Sequence, residues 1–278
     1  MNGLDAWLRH VRQARDGYRL PPRAHEQARA LIDDALALLF PHLAHARRGE
    51  PAAILREMTD LRDRVSGFLL DSGSPADDAR RVAEAVVGCL PRWHEDLMLD
   101  AQATCEADPA ASSVDEVILA YPGVYALACY RIAHSLLGLG VTLLPRLVTE
   151  AAHRATGIDI HPGARIGRSI AIDHGTGIVI GESSVIGDRV RLYQGVTLGA
   201  LRVRKDLARA RRHPTIEDDV VIYANATILG GETVVGRGSV IGGNVWLTHS
   251  VPAFSVVTHV TPVEWQSRNG RLPPDSSL

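Results

Sequence analysis

Asp173 and His174 stand side by side in the segment IDHGTG, which interrupts an otherwise regular pattern of aliphatic residues. An imidazole titrates near neutral pH, and it is the side chain that most often takes and returns a proton in catalysis. A second interruption, ALRVRKDLARARR from Ala200 to Arg212, holds six basic residues against one acid. Both interruptions are candidate places for a site if the surrounding elements hold them rigidly.

The pattern that these segments interrupt has a period of six and keeps its phase from Leu198 to Ile216, three full periods later. A parallel β-helix has this period, because one aliphatic side chain per flat face fills the axis and glycine serves the sharp corners. A turn can be pushed out of such a coil without loss of core contacts. The predicted inward positions are Ile160, Ile166, Ile172, Ile180, Ile186, Leu192, Leu198, Ile216, Ile222, Ile228, Val234, Val240 and Trp246.

The chain before this pattern has the spacing of helices. HEQARALIDDALALLF places its apolar residues on one face of a 3.6-residue period. Ser113 and Glu116 have the spacing of a capping box before an apolar run. We therefore expect an α+β protein with an all-helical domain over residues 1–156, a β-helix with one extruded basic loop over 157–260, and a short tail over 261–278.

Composition narrows the possible partners. The 278 residues are 46% apolar with a net charge of -2, which favours neither nucleic acid nor an anionic membrane as a partner. Three cysteines without paired spacing indicate neither a disulfide framework nor a zinc site. The most apolar run, from Val117 to Val148, contains charged residues and resembles buried helices rather than a membrane span. With charges throughout Met1–Arg15 and no signal peptide, a cytoplasmic protein is expected.

Several motifs resemble those of a known family. GIDIHPGARIG, IDHGTGIVIGE, YQGVTLGA and RHPTIEDDV are similar to segments of the serine O-acetyltransferases, as is the helical stretch ADPAASSVDEVILAYPGVYALACYRIAHSL. The similarity runs from about Cys105 to Val260; the chain before Asp100 matches only as a helical region. The resemblance implies a left-handed β-helix, assembled as a homotrimer or a dimer of trimers with sites between neighbours. It implies acetyl transfer from acetyl-CoA to L-serine, which gives O-acetyl-L-serine for cysteine biosynthesis.

The resemblance also implies roles for two residues of a catalytic pair. His174 matches the family's catalytic histidine, and Asp159 matches the carboxylate that orients it. A serine hydroxyl is a weak nucleophile at neutral pH, so a general base must take its proton as it attacks the thioester. A carboxylate on the far ring nitrogen fixes the tautomer and stabilises the imidazolium. Asp159 precedes His174 by fifteen residues, close to a family coil of eighteen, so adjacent coils could bring them together.

Further residues match the family's substrate-binding positions. His213 matches a second histidine that shares the cleft, and Arg212 matches the arginine that faces the substrate carboxylate. Asp108 and Asp173 match the acids that hold the serine ammonium. A zwitterion requires such opposite charges a few Å apart. The resemblance also implies contacts of the co-substrate acetyl-CoA with Gly199, Ala200, Ala224 and Gly243. No permanently bound cofactor and no metal are expected.

Other interpretations compete with this one. A sugar or small-molecule acetyltransferase would share the CoA site and the histidine base but should lack Asp173 and the helical DPA segment. A γ-type carbonic anhydrase would bind zinc through His161, His174 and His213. A non-catalytic scaffold would keep the coil for assembly alone.

Single residues also have competing roles. Asp159 could cap a turn, Asp108 could end a helix, and Arg212 could belong to a solvated basic loop that attracts CoA phosphates.

The resemblance leaves regulation and partners open. Trimer and hexamer both fit the sequence, and inhibition by cysteine is a property of many family members. Members also dock a C-terminal tail ending in isoleucine into O-acetylserine sulfhydrylase. This chain ends in PPDSSL, with Leu278 last, so such docking is in question.

Overall fold

The computed structural model describes residues 2–18, 21–44, 49–201 and 211–259, so most of the basic loop and the tail lie outside the described residues. Within these ranges, helices occupy the first half of the chain and short strands the second. The helices are α1 (Asn2–Asp16), α2 (Ala24–Leu39), α3 (Pro51–Asp71), α4 (Ala76–Gly88), α5 (Leu90–Ala107), α6 (Val114–Ala120), α7 (Pro122–Gly138) and α8 (Leu143–Thr156). None of the described helices is long and apolar enough to cross a membrane.

The helical half forms its core from the face that the sequence indicates. Ala28, Leu31, Ile32 and Ala35 of α2 are all almost completely buried. The predicted capping box is present: the Glu116 amide donates to the Ser113 hydroxyl at 3.1 Å. The Glu116 carboxylate accepts from the Ser112 amide at 2.8 Å, one residue earlier than in the standard motif. This cap starts α6 and thereby sets the position of the chain between α5 and α7.

The second half is a β-helix whose strands pair in parallel one coil apart. The strands are β1 (Asp159–Ile160), β2 (Arg165–Ile166), β3 (Ala171–Ile172), β4 (Val179–Ile180), β5 (Val185–Ile186), β6 (Arg191–Leu192), β7 (Thr197–Gly199), β8 (Thr215–Ile216), β9 (Val221–Ile222), β10 (Thr227–Leu229), β11 (Val234–Val235), β12 (Val240–Ile241), β13 (Trp246–Leu247) and β14 (Val256–Val257). They form three sheets, in the orders β1-β4-β7-β10-β13, β11-β8-β5-β2 and β14-β12-β9-β6-β3, which we call the first, second and third sheets. The fold is the predicted left-handed β-helix behind a helical region.

Register shows where a coil departs from three periods of six. The coil from Ile180 to its partner Leu198 has the length of three periods of six. The coil from Ile160 to its partner Ile180 is longer by two residues. The two extra residues lie in the turn that contains His174. The coil from Leu198 to its partner Ile228 is longer by twelve residues, because the basic loop is inserted at one corner. Both sequence interruptions are thus extrusions from an unbroken coil.

The predicted phase is wrong after Ile228. The inward residues there are Val235, Ile241 and Leu247, which are 0%, 0% and 3% exposed. Trp246 faces outward and is 69% exposed, and Val234 and Val240 are likewise not the core residues of their strands. The coil from Ile228 to its partner Leu247 is one residue longer than three periods. The extra residue falls at Gly230-Gly231, where a Cβ on Gly231 would lie 2.1 Å from the Arg211 carbonyl oxygen.

Helix α7 joins the two halves. Its Ala126, Leu127 and Tyr130 belong to the core of the β-helix rather than to that of the helices. The Arg131 guanidinium binds both carboxylate oxygens of Asp100, at 2.6 and 2.8 Å, and donates to the Gly167 carbonyl at 2.8 Å. Asp100 in turn accepts from the Ile170 amide at 2.9 Å. This buried ion pair fixes α5 and α7 against the coil, and the end of α5 carries Asp108 to the site.

Candidate active site

His174 lies in the extruded turn between β3 and β4. We call this turn and the three turns stacked on it the His174 corner (173–178, 193–196, 223–226 and 242–245). The backbone of His174 is left-handed, with φ 55°, as is that of Gly175, with φ 81°. A Cβ on Gly175 would lie 2.5 Å from the Ile158 side chain, so the turn is pressed onto the core. The His174 side chain is 72% exposed, and its Nε2 lies 3.9 Å from the Asp173 carboxylate. A rigid turn therefore presents an accessible imidazole beside an acid.

Asp108 reaches the same corner from the end of α5. Its carboxylate accepts from the Tyr121 hydroxyl at 2.6 Å and from the Ala110 amide at 2.8 Å. The Tyr121 hydrogen bond, the Ala110 amide and the charge of His174 hold the pKa of Asp108 below its ordinary value. The pKa of Tyr121 rises to about 12, chiefly through the same hydrogen bond, so the hydroxyl remains a donor. Asp108, Asp173 and His174 therefore make an anionic corner that suits an ammonium group.

Asp159 lies on β1, and β1 pairs with β4, the strand that follows the His174 turn. Within the described residues, no hydrogen bond or ion pair joins Asp159 to His174. The polar groups around Asp159 belong to the last turns of α8: ligand atoms of Asp159, Glu150 and His153 lie within 4.8 Å of one another. The structure thus brings the two predicted partners to neighbouring coils without direct contact in a single chain.

Arg212 and His213 lie at a different corner, the His213 corner (161–164, 181–184, 211–214 and 230–233), directly over Glu182 and Ser183 of the preceding coil. The Arg212 guanidinium binds the Glu182 carboxylate, which lowers the pKa of Glu182. The Ser183 hydroxyl accepts from the amides of Arg212 and His213 at 2.9 and 3.1 Å. Burial, assisted by the positive charge of Arg212, lowers the pKa of His213 to about 4. At neutral pH His213 is therefore uncharged beside a fixed guanidinium.

The two corners lie at opposite ends of the strands of the first sheet. Strand β4, for example, leaves the His174 corner and enters the His213 corner after two residues. Groups suited to an ammonium and groups suited to a carboxylate are therefore separated by a face of the β-helix within one chain. Among the described residues of one chain, the possible metal ligands that lie together are Glu150, His153 and Asp159, whereas His174 and His213 lie at different corners.

The four positions expected to contact CoA divide between the same corners. Gly199 and Ala200 open the basic loop at the His213 corner, and Ala224 and Gly243 stack at the His174 corner. The Asn244 amide donates to the Ala224 carbonyl at 2.9 Å, and a Cβ on Gly243 would lie 3.2 Å from that oxygen. Small residues thus keep successive turns close along the corner. The loop residues Arg202, Arg204, Lys205 and Arg209 lie outside the described residues, as does the tail that ends in Leu278.

Sequence reasoning did not find Tyr121, Glu182 or Ser183. Tyr121 precedes α7 and is brought to Asp108 by the path of α6, which no local motif encodes. Glu182 and Ser183 precede Arg212 and His213 by one full coil, the one that includes the basic loop. The phase kept across that loop was the signal that could have paired them.

Known proteins resemble this chain in sequence and in structure. No family model matches the chain. The chain is 55% identical to the plasmid serine acetyltransferase of Synechococcus elongatus over 185 residues, 65% of this chain and 58% of that protein, so it matches less than two thirds of that relative's length. It is 47% identical to the serine acetyltransferase of Bacillus subtilis over 164 residues, 59% of this chain and 73% of that protein.

A solved structure extends the similarity into the helical half. Serine acetyltransferase 1 of Entamoeba histolytica, crystallised with L-cysteine, is 34% identical and superposes with a TM-score of 0.76 over 82% of this chain and 86% of that one. These relatives are named acetyltransferases, a class of acyltransferase. The chain belongs to the serine acetyltransferase family.

Proposed function

We propose that this protein transfers the acetyl group of acetyl-CoA to the hydroxyl of L-serine, giving O-acetyl-L-serine and CoA. Membership of the family supports the reaction. The observation that carries its assignment to particular residues is the extruded turn, which presents His174 beside Asp173 and within the electrostatic reach of Asp108. That corner offers both a proton acceptor and a pocket for a positive charge.

The acceptor is held by its two charges. Its ammonium group binds between Asp108 and Asp173, where Tyr121 keeps the Asp108 carboxylate ionised and oriented. Its carboxylate binds Arg212 and the neutral His213. Neutral sugars carry neither charge and amino sugars lack the carboxylate, so the pocket rejects both by leaving some of these groups unpaired. L-Cysteine has the same size and charges and binds in the same way, in line with the cysteine complex of the Entamoeba protein.

Proton transfer then proceeds through His174. Its imidazole accepts the proton of the serine hydroxyl as the oxygen attacks the thioester carbonyl, and a C–O bond forms. The tetrahedral intermediate collapses with cleavage of the C–S bond, and the imidazolium returns its proton to the departing CoA sulfur. Asp159 supports His174 in the assembled enzyme by stabilising the imidazolium, as a carboxylate does in a catalytic triad.

The complete site requires a second copy of the chain. Because the His174 and His213 corners lie at opposite edges of the first sheet, the proposal places the His174 corner of one protomer against the His213 corner of its neighbour in a trimer. The CoA arm lies in this cleft along Gly199, Ala200, Ala224 and Gly243. A dimer of trimers requires in addition that the helical halves meet, and docking of a sulfhydrylase is a separate proposal that concerns the tail. A cytoplasmic location suits the three free cysteines.

A panel of acceptors tests the reaction. The purified protein is incubated with acetyl-CoA and L-serine, D-serine, L-threonine or an amino sugar, and release of the free thiol is followed. L-Serine alone should support rapid release, with O-acetyl-L-serine as product. Preference for an amino sugar would replace the proposal by a sugar acetyltransferase, and stoichiometric zinc with carbon dioxide hydration would replace it by a carbonic anhydrase.

Mixed oligomers test the shared site. His174→Ala and Arg212→Ala each disable one corner of every cleft in a homo-oligomer. At a serine concentration well below the raised KM of Arg212→Ala, neither variant alone turns over appreciably. When the two proteins are unfolded together and refolded, clefts between unlike protomers can combine two intact corners. Recovery of activity in the mixture, and none when each variant is refolded alone, is expected. An inactive mixture that assembles normally would place both corners of a site in one chain.

A further inference from the structure

The Ser183 hydroxyl faces the ring of His213. Its oxygen lies 2.9 Å from Nδ1 of His213, and the Ser183 backbone amide donates to the same nitrogen at 3.1 Å. The hydroxyl oxygen also accepts from the backbone amides of Arg212 and His213, at 2.9 and 3.1 Å. One serine therefore contacts both the ring and the backbone of the residue that it faces.

The number of donors decides the state of the ring. A hydroxyl has two acceptor lone pairs and one proton, and both lone pairs of Ser183 are occupied by backbone amides. Its proton is therefore left to point at Nδ1, which already accepts from the Ser183 amide. A proton on Nδ1 would face one N–H donor and an oxygen with no lone pair to spare. Nδ1 of His213 is an acceptor, so the ring proton resides on Nε2.

Packing holds the ring in this arrangement. His213 is 7% exposed and its ring packs against Gly181, where a Cβ would come 2.0 Å from Cδ2 of the ring. Among the described residues Nε2 has no hydrogen-bond partner, and it is not one of the buried unpaired atoms, so it reaches solvent. The charged or titratable groups around the ring are Arg212, Glu182 and His161, and burial with Arg212 keeps it uncharged.

We propose that Ser183 is a positioning residue that fixes His213 as the neutral Nε2–H tautomer, so that His213 donates a hydrogen bond to the acceptor's carboxylate beside Arg212. The role in substrate binding rests on the proposed function; the tautomer does not. A consequence is that the two histidines cannot exchange roles. His213 offers a donor and no basic nitrogen to the cleft, and His174 is the proton acceptor.

Three variants separate this role from a general effect on folding. Ser183→Ala removes the hydroxyl, Ser183→Thr retains it, and Ser184→Ala removes a neighbouring buried hydroxyl that has no hydrogen-bond partner among the described residues. Ser183→Ala should raise the KM for L-serine about tenfold, the value of one hydrogen bond to a charged group. The KM for acetyl-CoA and the kcat should stay near wild type. Ser183→Thr should restore the serine KM, and Ser184→Ala should leave it unchanged.

Nitrogen-15 NMR of histidine-labelled, ligand-free protein reads the tautomer directly, with the His213 signals assigned by their loss in His213→Asn. At neutral pH the wild-type ring should show a protonated Nε2 and an unprotonated Nδ1. In Ser183→Ala the backbone amide still donates to Nδ1, so the Nδ1 signal should shift because it has lost the hydrogen bond from the hydroxyl. A protonated Nδ1 in the wild type, or an unchanged ring and serine KM in Ser183→Ala, would overturn the inference. If the wild type acetylates no serine, the proposed function fails, while the NMR spectra still decide what Ser183 does.

Discussion

The Tyr121 hydroxyl donates a 2.6 Å hydrogen bond to the carboxylate of Asp108, whose other oxygen accepts from the Ala110 amide. The two residues are thirteen positions apart and belong to different helix ends, so α6 must be in place before they meet. The bond orients Asp108 toward the corner of Asp173 and His174 and lowers its pKa. Tyr121 is thus the link between the helical half and the pocket proposed for the ammonium group.

Tyr121→Phe should weaken serine binding and shift its pH dependence. With the donor removed, the pKa of Asp108 rises toward its ordinary value, so the carboxylate is protonated at a higher pH than in the wild type. As the pH falls below about 5, toward the ordinary aspartate pKa, the KM for L-serine should therefore rise at a higher pH in the variant than in the wild type. Tyr125→Phe, on α7 but bonded to Cys129, is the control. Identical pH profiles for Tyr121→Phe and wild type would remove Tyr121 from the pocket.

Asp159 should act only through His174. An orienting carboxylate has no function once the imidazole is gone, so the double variant Asp159→Asn, His174→Ala should be about as slow as His174→Ala alone. The measurement is kcat with both substrates saturating for the two single variants and the double variant. Losses that multiply would show that Asp159 has an independent function. Such a function would fit its position against Glu150 and His153.

Arg212→Ala should raise the KM for L-serine and leave that for acetyl-CoA nearly unchanged. Cutting one partner of a desolvated charge pair costs about 2–5 kcal/mol, which corresponds to a large increase in KM. Arg211→Ala is the matched control, since the neighbouring guanidinium contacts Thr215 at the surface. If Arg212 instead holds a CoA phosphate, the same substitution would raise the KM for acetyl-CoA and leave the KM for L-serine unchanged. Two saturation curves distinguish these results.

The Asp100–Arg131 pair should dominate the attachment of the helices to the β-helix. Asp100→Asn leaves the buried Arg131 cation without its counter-charge, and removing one partner of a buried pair costs about 3–5 kcal/mol. The free energy of unfolding in urea measures this loss. Asp16→Asn, in an exposed pair with Arg12, should cost less than about 1 kcal/mol. Equal effects of the two substitutions would show that the buried pair has no special weight.

The sequence predicts the coil well because side-chain period follows directly from its geometry. Ile172, Leu192 and Ile228 are inward and buried as the period of six requires. The prediction fails from Val234 onward, since a single extra residue at Gly230-Gly231 shifts the phase by one, and the aliphatic residues on both phases hide the slip.

The site is less accessible to sequence reasoning. His174 is conspicuous because it occupies an insertion in a repeat. Tyr121, Glu182 and Ser183 are ordinary residues in their own segments, and each acquires its role from a partner on another helix or another coil. Their contacts depend on register across the twelve-residue extrusion and on the path of α6, neither of which has a local motif. Asp159 and His174 lie on adjacent coils, yet nearness in register does not specify which groups a side chain contacts.

The kcat of His174→Ala with saturating acetyl-CoA and L-serine tests the central claim most directly. Loss of a general base should lower kcat by about 10²–10⁴-fold, while the melting temperature stays that of the wild type. Thr176→Ala, in the same extruded turn, should retain nearly full turnover. A folded His174→Ala enzyme that forms O-acetyl-L-serine at close to the wild-type rate would contradict the account, because the proton of the serine hydroxyl would then be accepted elsewhere.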